Sequence, residues 1–178
     1  ATVMGASGSG KSSLLASIAG FLDPVFTAAG SIKLNGEDLS AQPAEKRQIG
    51  LLFQDALLYP HLSVGGNLLF GLPHGLTAAQ RRERVEQALD SVGLAGFYDR
   101  DPATLSGGQQ SRVALMRLLL SEPKAVLLDE PFANLDAQLK TQTRDLVFDT
   151  LMAASIPALL VTHDRQDADA AQGQLFEL

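Results

Sequence analysis

The sequence predicts an α/β fold in which a mainly parallel sheet is covered by helices on both faces. Short apolar runs at 49–53, 125–128 and 156–161 are typical of buried strands, and helical stretches lie between them. This alternation favours parallel pairing, because a parallel connection needs a long crossover that a helix commonly supplies. A glycine-rich loop at 5–12 joins the first apolar segment to the first helix. Ligands of such sheets bind beyond the carboxyl ends of the strands, where this loop lies.

Composition places the chain among globular proteins and excludes several functions. The 178 residues are 46% hydrophobic, enough for one domain with a core. The net charge of −6 argues against broad nucleic-acid binding, which needs a basic surface. The lack of cysteine excludes disulfides and thiolate metal sites, and fits a cytosolic protein. No apolar run approaches the roughly 18–20 residues of a membrane span, and no signal peptide is visible.

The ends of the sequence predict a fragment. The chain begins at Ala1, only four residues before the first glycine of the loop, and it ends abruptly at Leu178. The first apolar segment therefore looks like the tail of a strand whose beginning is missing. We expect a domain that is truncated at both ends.

The first elements follow from local signals. The helix after the loop is expected to stop at Gly20, which can adopt a left-handed conformation. The run 31–34 alternates polar and apolar residues and meets the strong turn signal 35–36, which predicts an exposed antiparallel strand pair. The continuous apolar run 49–53 predicts a buried strand.

The middle of the chain, 55–120, is predicted to be helical. The stretches 77–80 and 106–109 each match a capping box, in which the first and fourth residues satisfy each other's backbone N–H groups. The helix after the first box is expected to close at Gly93. The charged residues at 81–86 predict a solvated face of that helix.

The last third returns to alternating strands and helices. After the strand 125–128, we expect a helix at 135–153, a strand at 156–161, a short helix and a final strand at 174–178. One domain, 1–178, follows from this order. Its expected parts are an α/β core, 1–54 and 121–178, and a helical subdomain, 55–120.

The loop at 5–12 matches the pattern G-x-x-x-x-G-K-[ST] of a phosphate-binding loop. Its glycines let the backbone N–H groups approach a triphosphate, and the following helix points its positive end at the same place. Lys11 would add a full positive charge, and the Ser12 hydroxyl would bind Mg²⁺. The alternative is a flexible Gly/Ser loop with a chance lysine. The expected nucleotide-binding residues here are Gly5, Ser7, Gly8, Ser9, Gly10, Lys11, Ser12 and Ser13.

Polar residues follow the other apolar runs where each strand should end. Asp129 is a candidate Mg²⁺ ligand, and Glu130 is a candidate general base for an attacking water. Gln54 could contact the metal or that water, and His163 could reach the γ-phosphate. The alternatives are a helix cap for the carboxylate pair and structural roles for Gln54 and His163.

A second glycine-rich segment, Leu105-Ser106-Gly107-Gly108-Gln109, opens a capped helix. Adjacent glycines leave bare N–H groups at the positive end of the helix dipole, which predicts a second anion site. The alternative is an ordinary glycine-rich loop before a helix. The loop at 5–12 already provides this chain with an anion site, so a second anion site at 105–109 needs a separate role.

These motifs together resemble the nucleotide-binding domain of ABC transporters, a P-loop NTPase with a RecA-like core. They stand in the family's order over nearly the whole chain, and the signature motif separates this family from other phosphate-loop ATPases. The matching segments are Walker A at 5–12, the Q-loop at Gln54, the signature motif at 105–109, Walker B with its glutamate at 125–130, the D-loop at Asn134-Leu135-Asp136 and the switch histidine at His163.

The resemblance implies ATP hydrolysis with ATP and Mg²⁺. It also implies a head-to-tail dimer that encloses two ATP molecules. The signature motif of one chain would complete the loop site of the other, so the further nucleotide-binding residues implied are Ser106, Gly107, Gly108, Gln109 and Asp136. Residues 53–62 and 130–132 look most like bacterial importers of iron, thiamine, sulfate or polyamines. The implied partners are a second copy of the chain, a transmembrane permease subunit and a substrate-binding protein, at the cytoplasmic side of the inner membrane. The segment 57–62 would form the groove for a permease helix.

Two alternatives remain open from the residues. One is a soluble ABC ATPase of translation or DNA repair, although those usually carry two cassettes or coiled-coil insertions. The other is a truncated nucleotide-binding module with little activity. The sequence also departs from the family pattern, because strands with an adenine-stacking aromatic residue are not present before the loop. Met116 and Leu118 stand where small residues are common in importers.

Overall fold

The computed structural model describes residues 1–6, 8–133, 135 and 137–178. The strands are, in chain order, β1 (Thr2–Met4), β2 (Lys33–Leu34), β3 (Glu37–Asp38), β4 (Ile49–Leu52), β5 (Ala125–Asp129), β6 (Ala158–Thr162) and β7 (Leu175–Glu177). The helices are α1 (Lys11–Ala19), α2 (Ala44–Arg47), α3 (Val64–Leu69), α4 (Ala78–Ser91), α5 (Gly107–Leu119), α6 (Ala137–Ala153) and α7 (Arg165–Ala170), with a 3₁₀ turn at Pro102–Thr104.

Within the described ranges, five strands form one sheet in the order β4-β5-β6-β1-β7. Each neighbouring pair in that sheet is parallel. A separate antiparallel pair, β2 and β3, is joined by the turn at 35–36. The predicted fold class, a mainly parallel sheet with helices and a small antiparallel pair, is confirmed.

Successive residues of the central strands pack on opposite faces of the sheet, as the strand geometry requires. On one face, Val126, Leu128 and Leu160 join the large apolar core formed with the helices of the 55–120 segment and α6. On the other face, Leu127 and Val161 pack with α1 in a smaller cluster. Continuous apolar runs are therefore needed in both β5 and β6, because both faces of these strands are covered.

The register of the sheet brings the carboxyl ends of four strands together. Met4 of β1 pairs with Thr162 of β6, and Asp129 of β5 pairs with Val161. Leu52 of β4 pairs with Leu128. The predicted convergence of these strand ends at one edge is thus confirmed.

Several predicted boundaries and burial states differ from the structure. The strand predicted at 156–161 begins two residues later, because Pro157 precedes β6 and contributes only its carbonyl, which accepts a hydrogen bond from Val126 N–H. The run at 49–53 is not a fully buried strand, because β4 lies at the edge of the sheet and Phe53 lies beyond it, 40% exposed. The predicted helix 135–153 begins at Ala137.

The helical middle of the chain follows its predicted caps. Thr77 and Gln80 form the capping box of α4, and Gly93 has a positive φ of 70° just after that helix. The prediction of a wholly solvated charged face at 81–86 is wrong at Arg81. Its guanidinium donates hydrogen bonds to the carbonyls of Leu69 and Pro73, so it ties α4 to the end of α3. Among the described helices, none is long and apolar enough to span a bilayer.

Candidate functional site

A cavity of about 560 Å³ opens beyond the carboxyl ends of the four strands described above. Its lining comes from the glycine-rich loop with the first turn of α1, from the segment after β4, and from the end of β5. The lining residues are Gly8, Gly10, Lys11, Ser12, Ser13, Phe53, Gln54, Asp55, Leu57, Asp129 and Glu130. The cavity therefore joins the three segments whose polar residues were predicted to converge.

The N-terminus of α1 faces this cavity, and no side chain of the described residues caps it. Its N-cap, Gly10, has φ 93° and ψ 6°, a left-handed conformation that L-residues with a side chain rarely adopt. The first turn contains no acidic residue. Backbone N–H groups and the positive end of the helix dipole are consequently available to an anion in the cavity.

Lys11 supplies the cationic group of the loop. The side chain is only 5% exposed, and its ammonium donates hydrogen bonds to the carbonyls of Gly5 at 2.9 Å and Ala6 at 2.8 Å. An ammonium has three donors, and these two carbonyls take two of them. The charge is thereby held at the wall of the cavity, where it can meet a phosphate oxygen at no cost in side-chain ordering.

Ser12 and Asp129 form an oxygen pair across the cavity. The Ser12 hydroxyl donates to Asp129 Oδ1 at 3.4 Å. Burial raises the pKa of Asp129, and the neighbouring charge of Glu130 raises it further. The hydrogen bond from Ser12 lowers the pKa but does not cancel the rise. A hydroxyl and a carboxylate are the hard oxygen ligands that Mg²⁺ prefers when it also binds phosphates. The donor set at this position therefore fits Mg²⁺.

Glu130 and His163 form a second pair, at the ends of β5 and β6. His163 Nδ1 lies 2.8 Å from Glu130 Oε2, and the imidazole is 57% exposed. Glu130 has φ 45°, a strained backbone for a residue with a side chain, and its N–H donates to the Val161 carbonyl at 2.9 Å. This strained turn places Glu130 in the cavity wall beside Asp129. The two neighbouring carboxylates have different partners, since Asp129 bonds Ser12 and Glu130 bonds His163.

Gln54 enters the cavity directly after β4, and the segment that follows it is held by α5. Arg117 of α5 donates to the carbonyls of Leu57 at 2.9 Å and Ala56 at 3.2 Å. Leu57 has φ 43°, so the arginine stabilises a strained backbone. Asn67, fully buried, also bonds both backbone groups of Tyr59. Sequence reasoning missed both anchors, because each acts on backbone groups that carry no side-chain signal.

The second glycine-rich segment lies at the start of α5, outside this cavity. Ser106 and Gln109 form the predicted capping box, with distances of 3.4 Å from Gln109 N to Ser106 Oγ and 3.0 Å from Ser106 N to Gln109 Oε1. Gly108 is buried, and a Cβ there would lie 2.5 Å from a methyl carbon of Leu139 in α6. Helix packing therefore favours glycine at 108, because any larger residue would force the Leu139 side chain to shift.

The structure sorts the predicted site residues into three groups. The first group lines the cavity: Gly8, Gly10, Lys11, Ser12, Ser13, Gln54, Asp129 and Glu130. His163 is added to this group by its hydrogen bond with Glu130, and Gly5 and Ser9 belong to the same loop. Ser106, Gly107, Gly108 and Gln109 are not among the residues that line it. Ser7, Asn134 and Asp136 lie outside the described residues.

Comparison with known proteins gives a consistent result. The sequence pattern of a family described as ABC transporter matches residues 1–133. A protein of Escherichia coli (strain K12), named uncharacterized ABC transporter ATP-binding protein YnjD, is 50% identical over 169 residues, which are 95% of this chain and 78% of that protein. The thiamine import ATP-binding protein ThiQ of Jannaschia sp. (strain CCS1) is 45% identical over 168 residues, covering 94% of this chain and 72% of that protein.

Relatives named for iron import are also similar over almost the whole chain. The Fe(3+) ions import ATP-binding protein FbpC of Mannheimia succiniciproducens is 40% identical over 176 residues, which are 98% of this chain but 49% of that protein. The chain therefore spans about half the length of these iron-import relatives.

Proposed function

The chain belongs to the ABC transporter family of ATP-hydrolysing proteins and has the P-loop NTPase fold of that family, and on this premise we propose that it is the ATPase subunit of a bacterial importer. The cavity at the sheet edge is the observation that carries the ATPase part of the proposal, and the importer part rests on the relatives that are named for import. The cavity combines an uncapped helix N-terminus, a buried lysine, an oxygen pair suited to Mg²⁺ and a glutamate bonded to a histidine.

Binding of the triphosphate is assigned to the loop and α1. Backbone N–H groups of the loop and of the first turn of α1 would surround the phosphates, and Lys11 would add its charge to them. Mg²⁺, when bound, would be held by Ser12, Asp129 and Gln54, where it neutralises charge on the phosphate oxygens. The protein contributes position and electrostatic stabilisation, which are the main requirements of phosphoryl transfer.

Proton transfer is assigned to Glu130. Its carboxylate accepts a proton from the water that attacks the γ-phosphate, and the 2.8 Å contact with His163 Nδ1 fixes the carboxylate for that role. With Nδ1–H donating to Glu130, Nε2 of the same ring would face a γ-phosphate oxygen, and it could donate to that oxygen only in the imidazolium form, in which both nitrogens carry a hydrogen. The histidine would then hold the base and the reacting phosphate in one geometry.

The active unit is proposed to be a head-to-tail dimer. The start of α5 carries an anion-binding helix end that the cavity of its own chain does not use. A second copy would place its residues 106–109, with Asp136, over the ATP bound at the loop of the first. Closure would then depend on the γ-phosphate, because that group joins the two halves, and hydrolysis would release them.

The proposed partners follow from the family and from a groove of about 220 Å³ beside Gln54. Phe53, Tyr59, Phe70 and Arg117 line the groove, and the rings of Tyr59 and Phe70 lie 4.8 Å apart. We assign it to a helix of a transmembrane permease, which would hold the chain at the cytoplasmic side of the inner membrane. A substrate-binding protein would deliver the cargo, with iron or thiamine as the first candidates because relatives are named for them.

The domain boundaries complete the proposal. One ATPase domain, 1–178, contains a RecA-like core at 1–54 and 121–178. The helical subdomain, 55–120, contains the start of α5 and most of the groove lining, and Phe53 of the core also lines the groove. The two assigned surfaces are linked mechanically, since Arg117 joins α5 to the carbonyls of Ala56 and Leu57.

The decisive test is Glu130→Gln, which keeps the shape of the side chain and removes its basicity. ATP binding should persist, hydrolysis should fall by about 10²- to 10⁴-fold, the range of general base catalysis, and the dimer should be trapped with ATP. Calorimetry, phosphate release and gel filtration with ATP measure the three effects. Turnover at the wild-type rate would show that Glu130 is not the base.

Sharing of sites between two copies has its own test. Chains with Ser106→Arg and chains with Lys11→Ala should each be inactive alone. Mixing them creates heterodimers in which one of the two composite sites carries no mutation, so hydrolysis should return in part. A mixture as inactive as its components, under conditions where wild-type chains hydrolyse ATP, would rule out the shared site.

A further inference from the structure

Four charged side chains form a compact cluster between α6 and the start of α7. Lys140 Nζ lies 2.6 Å from Asp164 Oδ2 and 3.2 Å from Asp167 Oδ2. Arg144 of α6 reaches the other oxygen of Asp167 at 3.4 Å. Lys140, Asp164 and Asp167 line a cavity of about 280 Å³ together with Glu130 and His163. Glu130 also lines the cavity of the loop, so the two cavities meet at this residue.

Burial and charge balance distinguish this cluster from ordinary surface ion pairs. The Asp167 side chain is 4% exposed and that of Lys140 is 18% exposed, and two carboxylates face two cations. The hydrogen bond from Lys140 lowers the pKa of Asp164. Burial alone would lower the pKa of Lys140, but hydrogen bonds from its ammonium to Asp164 and Asp167 outweigh it and the pKa is raised. Both residues are therefore held in their charged forms, although the pair is only partly buried.

The cluster fixes both sides of the turn that carries His163. On one side, the Thr162 hydroxyl donates to Asp167 at 3.5 Å and accepts from the Asp164 backbone N–H at 3.0 Å. On the other side, Asp164 caps α7 by accepting from Gln166 N at 2.7 Å. The imidazole itself is more than half exposed, so packing does little to hold it. Its contact with Glu130 depends on the position of this turn.

We propose that Lys140 is a positioning residue for His163: through Asp164 it locks the turn after β6 and so maintains the hydrogen bond between His163 and Glu130. The proposal rests on the proposed function for its kinetic consequence, because that contact matters only if Glu130 acts as the base. Lys140 touches neither reacting group in the described contacts. It acts through Asp164, which follows His163 directly in the chain.

The chain offers a matched control in Arg144. Its guanidinium binds the same buried carboxylate, Asp167, from the same helix, and its other close carboxylate is Asp145 rather than Asp164. Replacing Lys140 or Arg144 by methionine removes one cation from the cluster and keeps an unbranched chain. Both variants should lose stability, but only Lys140→Met should release Asp164.

The first measurement follows the histidine itself by NMR of the imidazole nitrogens in the whole chain, without nucleotide. In Lys140→Met, the His163 signals should lose the pattern of a hydrogen-bonded Nδ1 and move toward that of an exposed imidazole. Arg144→Met should keep the wild-type pattern, and Lys140→Arg should restore it. Asp164→Asn retains a helix-capping side chain and removes the charge, so it should change the His163 signals in the same way as Lys140→Met. It replaces Lys140→Met in this test if that variant fails to fold.

The second measurement separates ATP affinity from turnover. Lys140→Met should keep the ATP Kd within about twofold and lower kcat about tenfold, the loss expected when a base is misplaced by a fraction of an ångström, with Arg144→Met near wild type. An unchanged His163 spectrum in both Lys140→Met and Asp164→Asn, with only a lower melting temperature, would overturn the positioning role. If instead the spectrum changes as expected while wild-type chains bind ATP and never hydrolyse it, the proposed function fails and the structural coupling stands.

Discussion

The starts of α1 and α5 are both glycine-rich helix N-termini without acidic residues in the first turn, yet they are built in opposite ways. At α1 the N-cap is Gly10 in a left-handed conformation, with no side-chain hydrogen bond to the first turn. At α5 the N-cap is Ser106 in an extended conformation, with a complete capping box. The first helix opens on a cavity of about 560 Å³, and the second lies outside it.

The difference shows how one feature can serve two purposes. The first turn of α1 lacks a cap of its own, so an anion in the cavity supplies what the chain does not. At α5 the capping box satisfies the N–H groups of Ser106 and Gln109, which stabilises this helix end without a ligand, and leaves the N–H groups of Gly107 and Gly108 for an anion. A site of the first kind should bind nucleotide strongly by itself. A site of the second kind is suited to meeting a phosphate that another molecule already holds.

The largest expected effect comes from removing the cation beside α1. Lys11→Ala should weaken ATP binding at least about 100-fold, or ~2.7 kcal/mol, because a buried charge-assisted contact to phosphate is lost. Calorimetric titration with ATP measures it. Lys33→Ala removes an equal charge from the exposed strand β2 and should leave affinity unchanged. Equal losses in both variants would show that α1 binds through net charge alone.

A smaller effect should follow from adding a methyl group at the start of α5. Gly108→Ala should lower the free energy of unfolding by about 1–3 kcal/mol, because its Cβ would overlap Leu139. Gly107→Ala is the matched control, since a Cβ there lies 3.8 Å from Leu135 and fits. Chemical denaturation compares the two. If both variants are equally stable, the α5–α6 contact does not require glycine at 108.

The smallest effect concerns pH, which should act on the α1 site and not on the neutral cap of α5. Burial raises the pKa of Asp129 above its ordinary 3.8. In the nucleotide-free protein, ionised Asp129 then costs stability above that raised pKa, and the cost decreases as the pH falls below it and is gone below the ordinary value of 3.8. Mg²⁺ needs the ionised form, so Mg²⁺-dependent ATP binding should weaken about tenfold for each pH unit below the raised pKa.

Asp129→Asn separates this carboxylate from the titration of ATP itself. The variant should bind Mg²⁺ more weakly at neutral pH and lose the part of the acid dependence that Asp129 causes. Titrations with ATP, with and without Mg²⁺, across the acid range measure the difference. Identical pH profiles for wild type and variant would remove Asp129 from the metal site.

The sequence by itself determined the order of elements and most of the site. Strand runs with apolar residues on both faces predicted a covered parallel sheet, and the polar residues after them predicted the end of the sheet at which the cavity opens. Capping boxes at 77–80 and 106–109 were predicted correctly, because both partners lie within one turn of the same helix. The loop, Gln54, Asp129, Glu130 and His163 could be proposed from the sequence for a similar reason, since each lies at or within two residues of a strand end.

Only the tertiary structure decided which distant groups support these residues. Arg47 bonds the carbonyls of Ser17 and Ile18 at the end of α1, about thirty residues away, and no local pattern predicts that contact. The edge position of β4, which leaves Phe53 exposed, likewise depends on strand order.

The same limit applies to the charged cluster behind His163. In the sequence, Lys140 and Asp164 are charged residues of two separate helical segments, and each side chain would be predicted to be exposed to solvent. The fold brings them to 2.6 Å because α6 and α7 pack against each other. Local sequence determines what a segment can form and where its reactive groups lie. Long-range packing determines which backbone and charged groups hold them, because those partners are chosen by three-dimensional proximity rather than by spacing along the chain.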